Sequence, residues 1–356
     1  MILRMPSYYR DFKCTADKCT DSCCIGWEID IDKQSLKRFR AISDSEFSDK
    51  LKRCISESGT PHFILDENER CPFLDKNGLC EMILYSGEDI LCNICRDHPR
   101  YFEWYDGLKE GGIGLCCEAA AKLILQNNNC TSFYDKEIPY EDCGSYDDGL
   151  FKLMLDMRKR IFSFTEQSNF ALKDILSSIL SYAEYMQEKC DSFDFSKKDI
   201  KPSLCQKHDA NIKKIDGFLS ELESMESNRP FKKLITDNNI SQKINEFYNK
   251  HPETKKYLIN IFEYFLYRHF LKGVYDDEFY SRIAFAILST CVTALLFVSA
   301  YTEQGVFNID TAVRCCVYYS KEIEYSESNL NIIFDAFYDP EMFSHTYLEG
   351  LCSVLL

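Results

Sequence analysis

The sequence predicts a mainly α protein: an irregular cysteine-rich, metal-binding N-terminal domain packed on a multi-helix C-terminal domain. Three observations carry this. Thirteen of the nineteen cysteines lie at or before Cys143. The turn-forming clusters "SGTPH", "DKNG", "SGED", "DHPR" and "EGGIG" interrupt the same region. From about residue 147 apolar residues recur at helical spacing instead. The division falls at 1–146 and 147–356.

Each element follows from its local pattern. "WEIDID", residues 27–32, alternates apolar and acidic residues and reads as a short strand or extended segment. In "EGGIG", Gly111, Gly112 and Gly114 predict a turn. "EAAAKLILQNN" predicts a helix beginning near Glu118. "DDGLFKLMLDMRKRIFSF", "NFALKDILSSILSYAEYMQEK" and "IDGFLSELESME" predict helices, as does "KKYLINIFEYFLYRHFLKG", where Gly273 makes the stop. "DTAVRCCVYYSKEIEY" and "SNLNIIFDAFYD" complete the run. The polar stretch 191–214 reads as a loop or linker. "IAFAILSTCVTALLFVSA", residues 283–300, has the minimum length of a membrane span. It carries Ser289, Thr290, Thr293 and Ser299, and its flanks lack the cationic bias that orients a span. A central buried helix is expected there, and no membrane as partner.

Hydrophobic content of 45% with 28% charged residues describes a globular chain. The formal net charge of −15 argues against a nucleic-acid partner, which needs clustered Lys and Arg, and is compatible with a basic partner such as a lysine-bearing protein. "MILRMPSYYRDFK" lacks the apolar core of a signal peptide, so a cytoplasmic, reducing location is expected, where disulfides are rare.

"FKCTADKCTDSCCIGWEIDID", residues 12–32, then gains meaning from its four closely spaced cysteines. A disulfide staple, a metal centre and simple packing could each use them; the reducing compartment favours metal. Three more groups follow: "CPFLDKNGLC", "LCNICRDHPR" and "GLCCEAA". Soft thiolates suit zinc or an iron–sulfur cluster, and His62 and His98 are the only histidines in this half. The spacing matches neither paired CxxC knuckles nor a ferredoxin run, and the metal's identity stays open. Cys54, Cys130, Cys143, Cys190, Cys205, Cys291 and Cys352, and the Cys315–Cys316 pair, read as small packing residues.

These groups, with the lead "MPSYYRDFK" and the segment "YFLYR" at 264–268, resemble the flagellin lysine-N-methylase family over about residues 5–122, with a thinner echo at 257–300. The cysteine portion alone also resembles putative zinc- or iron-chelating domains. Where the family shows Cys-Pro-Glu, this chain has Cys116-Cys117-Glu118. The resemblance implies methyl transfer from S-adenosylmethionine to lysine ε-amines on flagellin, the protein of the bacterial flagellum, by a protein carrying a [4Fe–4S] cluster. By position it implies ligands among Cys14, Cys19, Cys23, Cys24, Cys71, Cys80, Cys95 and Cys116, with Cys92 a weaker match. Eight thiolates exceed what one cubane needs, which allows a second metal site or structural thiols. The rival reading is a non-catalytic zinc- or iron–sulfur-binding interaction or metallochaperone module.

Methyl transfer makes its own demands. No strand and Gly-rich loop of the dinucleotide-binding kind is legible, nor a CxxxCxxC loop, so no S-adenosylmethionine-binding residue can be named. A lysine ammonium, with pKa about 10.4, must lose its proton before attack. A base or an aromatic, desolvating pocket would serve. Tyr264, Tyr267 and Arg268 share a helical face beside Glu263 and His269 and could line such a pocket, or could be amphipathic packing with an Arg–Glu surface pair. Glu118 is a second candidate base, or a charge favouring its helix N-terminus. Arg96 and Arg100 could neutralise a thiolate cluster or face solvent.

Overall fold

Two separate apolar cores organise the chain, and the cysteine-rich half contributes to both. The computed structural model describes every residue except 27, 44, 143, 168, 209, 225–233 and 235–238. Cys143 and Trp27 therefore lie outside the described residues.

The chain opens with β1 (Ile2–Pro6) and then leaves the larger core for a small unit. That unit holds α1 (Lys33–Ala41), α2 (Ser45–Cys54), the two-residue strands β2 (Ile55–Ser56) and β3 (His62–Phe63), α3 (Glu81–Ser86) and α4 (Asn93–Asp97). The described part of "WEIDID", residues 28–32, is extended, with a bridge from Asp30 to His62. Its alternation is realised as burial: Ile29 and Ile31 enter the small core while Asp30 faces water. Asp32 then caps α1 by accepting from the Ser35 amide at 2.9 Å. Phe39, Phe63 and Phe73 fill the centre, with Phe63 and Phe73 edge-on at 5.1 Å.

The chain returns as a hairpin, β4 (Arg100–Tyr105) and β5 (Leu108–Ile113). Gly107, at φ 72°, supplies the left-handed turn residue. Helix α5 (Glu118–Gln126) and strand β6 (Phe133–Glu137) follow. The strands form one sheet in the order β4-β5-β1-β6, with β1 parallel to β5 and antiparallel to β6. The expected glycine turn is thus corrected: Gly111 and Gly112 sit inside β5. They are glycine because rings lie against them. A Cβ on Gly112 would come within 2.3 Å of the Tyr101 ring, and one on Gly111 within 2.9 Å of Phe102.

The remainder is helical: α6 (Asp148–Gln167), α7 (Leu172–Asp191), α8 (Ile212–Glu221), α9 (Ile240–Lys250), α10 (Thr254–His269), α11 (Phe279–Gln304), α12 (Ile309–Tyr319), α13 (Glu327–Ala336), α14 (Pro340–Phe343) and α15 (His345–Leu355). Helix α11 runs through the middle against α7, α10, α12 and α15, and its 18-residue apolar window is wholly buried inside the protein. Helix α10 ends at His269, ahead of Gly273, which lies in a following 3-10 turn. The described residues among 192–211 form no helix and lie back on the bundle. The Cys205 amide donates to Asp174 at 2.8 Å and the Gln206 amide to Glu349 at 3.0 Å. The sheet is bound to the helices by a buried two-point ion pair, Arg158 to Glu110 at 2.7 and 2.5 Å.

Candidate functional site

Between α12 and α13 the chain widens into five residues of π-helix, Ser320–Glu324, all buried. Such widenings often mark functional positions. This one delivers three charged side chains, of which Lys321 joins the helical bundle to a cysteine-bearing loop.

Glu324, its side chain fully enclosed, accepts from Arg268 at 3.1 Å, from the Tyr264 hydroxyl at 3.1 Å and from Ser320 at 2.6 Å; His269 Nε2 lies 2.9 Å away. Burial alone would raise its pKa, but the Arg268 charge and the His269 contact outweigh this and hold it below the usual carboxylate range. His269 moves the other way. Burial pushes it down to about 4 despite Glu324, so it is a neutral hydrogen-bonding partner at neutral pH. The Arg268 guanidinium lies between two rings, 4.5 Å from the Tyr101 centroid and 5.2 Å from that of Tyr325. The Tyr325 hydroxyl bonds the Cys116 thiol, which burial raises to about 12. Gly114 makes this possible, since a Cβ there would stand 2.6 Å from the Tyr325 oxygen. The Tyr101 hydroxyl is enclosed with no hydrogen-bond partner.

The second arm, Lys321, is 4% exposed and meets both Asp21 oxygens at 2.7 Å. Asp21 stands in the first cysteine loop, between Cys19 and Cys23. The same loop is held from α5, where Glu118 accepts from the Thr20 amide at 3.0 Å and also from its hydroxyl. Two anchors thus fix the loop on the bundle.

The thiols divide into two groups. Cys24, Cys71, Cys80, Cys92 and Cys95 line the small core, and the charge of each thiolate would raise the pKa of its neighbours. The Cys71 amide donates to the Cys24 carbonyl at 2.9 Å, bringing distant loops together. Within this set the hydrogen bond from Cys95 lowers Cys92, while one from Cys23, outside the set, lowers Cys24 and links it to the second group. Burial raises Cys71 to about 12. Cys14, Cys19, Cys23 and Cys117 form the other group, at the junction with α5. Every cysteine described is a free thiol. The sulfur-only donor set of the small core fits a thiolate-bound centre in kind. Among the described residues, however, no three donors stand in an arrangement that would hold a metal ion.

The sequence-derived candidates separate. Tyr264 enters the Glu324 network and its hydroxyl also accepts from the Leu115 amide at 3.2 Å. Tyr267 does not join it: its hydroxyl meets the carbonyls of Arg4 and Gly111, tying α10 to the sheet. Arg268 makes no surface pair with Glu263; its partner is Glu324, while Glu263 is buried against Thr165 at 2.6 Å. Glu118 anchors a loop. Arg96 pairs with Asp97, and Arg100 lies over the Phe12 ring at 5.1 Å. Cys116 belongs with Tyr325, apart from the small-core thiols, and Cys92 belongs with Cys95. Cys130, Cys190, Cys291, Cys315, Cys316 and Cys352 are buried; Cys54 and Cys205 are half-buried. Glu324, Tyr101, Tyr325 and Lys321 escaped the sequence reading because their partners lie dozens to hundreds of residues away.

The lysine-N-methylase of Salmonella choleraesuis (strain SC-B67) is 26% identical over 147 residues, covering 37% of this chain and 35% of that protein. That of Salmonella typhimurium is 26% identical over 147 residues. The flagellar biosynthetic protein FliU of Salmonella muenchen is 25% identical over 145 residues, 37% of this chain and 82% of that protein. The match spans about a third of the length of the curated lysine-N-methylases. No solved structure matches. A family model described as the FliB lysine N-methylase C-terminal domain covers residues 150–351. That is more than half of the chain, including α10, the π-helical turn and every partner of Glu324, and the chain belongs to the FliB lysine N-methylase family.

Proposed function

We propose that this protein transfers methyl groups from S-adenosylmethionine to lysine side chains of flagellin in the cytoplasm, and that its cysteine-rich part carries a [4Fe–4S] cluster. The observation that carries this reading is the family match over residues 150–351, supported by relatives named lysine-N-methylase and flagellar biosynthetic protein. In the transfer, the lysine nitrogen lone pair forms the new N–C bond as the sulfonium S–C bond breaks. A proton and S-adenosylhomocysteine leave.

Cys24, Cys71, Cys80, Cys92 and Cys95 are the thiols that would hold the cluster; zinc is the alternative occupant. A bound cubane would supply a redox-active, electron-accepting metal site there. The chain's own residues do the rest. Arg268 and Glu324 neutralise each other inside the bundle and keep the π-helical turn in place. Lys321 and Glu118 hold the first cysteine loop against it. Glu324 is sealed from solvent, which makes it a positioning residue rather than the base that meets the substrate amine.

Anaerobic incubation with methyl-labelled S-adenosylmethionine and monomeric flagellin tests the activity. Label on lysine is expected, and its absence would overturn the reading. Iron with acid-labile sulfide is expected in the purified protein; zinc without methylation would favour the non-catalytic module instead.

A further inference from the structure

Residues 7–15 run beside α5 in the opposite direction. The Ser7 amide donates to the Ser132 carbonyl, beyond the helix's C-terminal end, at 2.8 Å. At the other end Thr15 bonds the Cys19 thiol, next to the Thr20 that Glu118 holds at the start of the helix. An open groove of about 610 Å³ lies between the two stretches. Ala119, Leu123 and Gln126 line it at positions i, i+4 and i+7 of α5, one face of the helix.

Its polar groups are uncommitted. The side chains of Asp11, Lys13 and Gln126 make no hydrogen bond or ion pair among the described residues, and all three are exposed. Lys122, also in the lining, is already paired with Asp310 at 3.0 Å.

Size and charge together select an occupant. A space of several hundred Å³ is the range of small-molecule and cofactor sites. One free carboxylate beside one free ammonium suits a zwitterion, whose α-ammonium would meet Asp11 and whose α-carboxylate would meet Lys13. A nucleoside triphosphate does not suit it, because Lys122 is taken and Asp11 would repel the phosphates. Leu123 and Ala119 offer an apolar floor to a short alkyl-sulfur chain. The Gln126 amide both donates and accepts, as ribose hydroxyls and a base edge require.

We infer that this groove binds S-adenosylmethionine, its amino-acid end held by Asp11 and Lys13 and its nucleoside lying along α5 toward Gln126. The inference deepens the proposed function and rests on it for the identity of the ligand. Because the groove is open to solvent, a lysine on a protein surface can approach a methyl group held there. Thr15 lines the groove next to Cys14, so the ligand would lie beside the first cysteine loop.

Equilibrium dialysis of the anaerobically purified full chain against labelled S-adenosylhomocysteine, the demethylated product, tests this without any methyl transfer. Wild type should bind it. Lys13→Glu and Asp11→Asn should each weaken it by about tenfold or more, the loss of a charge-assisted hydrogen bond. Leu123→Trp, which fills the groove, should do the same, and circular dichroism identifies the folded variants to be compared. Lys37→Glu, the same charge reversal on α1, should change nothing. Adenosine, which lacks the amino-acid end, should bind more weakly than S-adenosylhomocysteine and should be indifferent to Lys13→Glu. Equal affinity in wild type and the folded groove variants, an equal loss in Lys37→Glu, or no binding by wild type would overturn the groove; methyl transfer to flagellin by the same protein would then leave the activity standing. The expected losses in a protein that never methylates flagellin would sink the activity and leave the groove.

Discussion

Glu324 and Arg268 lie 3.1 Å apart inside the bundle, the carboxylate fully enclosed and the guanidinium 10% exposed. The pair joins the π-helical turn to α10 near the strand that carries Gly112 and the Gly114 that follows it. Removing one partner of a buried ion pair leaves an uncompensated charge, at a cost of about 3–5 kcal/mol. Glu324→Leu should therefore lower unfolding stability by that amount in urea titration. Replacing both partners with apolar residues should cost less than the sum of the single changes.

Gly112→Ala should be costly for a steric reason. Its Cβ would stand 2.3 Å from the Tyr101 ring, which is itself held over Arg268. A loss of about 1–3 kcal/mol is expected from overpacking. In a Tyr101→Ala background the same change should lose most of its effect, and a double-mutant cycle measures the difference.

Stability should fall with rising pH through Glu263. Burial raises its pKa from the ordinary carboxyl value of 4.5 to about 7. The folded state thus holds the proton more tightly than the unfolded state, so the stabilisation is fully present below 4.5 and lost as pH approaches 7. The two values allow a change of up to about 3 kcal/mol. Glu263→Gln can still accept from Thr165 and should match wild type at pH 4.5 and exceed it at pH 8. His269 works in the opposite sense: its depressed pKa means stability is lost as pH falls from 6.5 toward 4. Denaturation profiles of the two variants, Glu263→Gln and His269→Gln, separate the contributions.

The first cysteine loop should loosen when its anchor goes. Lys321→Met removes the two 2.7 Å contacts to Asp21. Cys14, Cys19 and Cys23 should then alkylate several-fold faster, by local opening, while the buried Cys116 should not change. Mass spectrometry after timed iodoacetamide exposure reads this directly.

Metal content should follow the division of the thiols. Cys71→Ser and Cys92→Ser should lower bound metal and sulfide in anaerobically purified protein. Cys205→Ser should leave both unchanged, because Cys205 lies in the helical half and hydrogen-bonds to the Glu349 carbonyl at 3.4 Å.

The long helices α6, α7, α10 and α11 were legible because each is set by neighbours in sequence, whereas α1 to α4, α9 and α15 were not foreseen. Alternation at 3.6 residues in 148–167, 172–191 and 254–269 reports a buried stripe before any partner is known. The apolar segment 283–300 likewise declared its burial, though not what would surround it. The cysteine groups and their resemblance named the family, which the match over residues 150–351 then showed. Gly111 and Gly112 were misread, since a glycine in a strand and a glycine in a turn look alike until the opposing rings of Phe102 and Tyr101 are in place.

By itself, then, the chain's order of residues determined where the long helices form, which thiols come in groups and what kin it has. Only the tertiary structure decided that Tyr264 and Tyr267 part company, that Glu324 is the hub, and that Cys92 joins the small core while Cys116 leaves it. The physical reason is range. Helical periodicity is fixed within a few residues of chain, whereas a buried charge takes whatever partner long-range packing brings within about 3 Å.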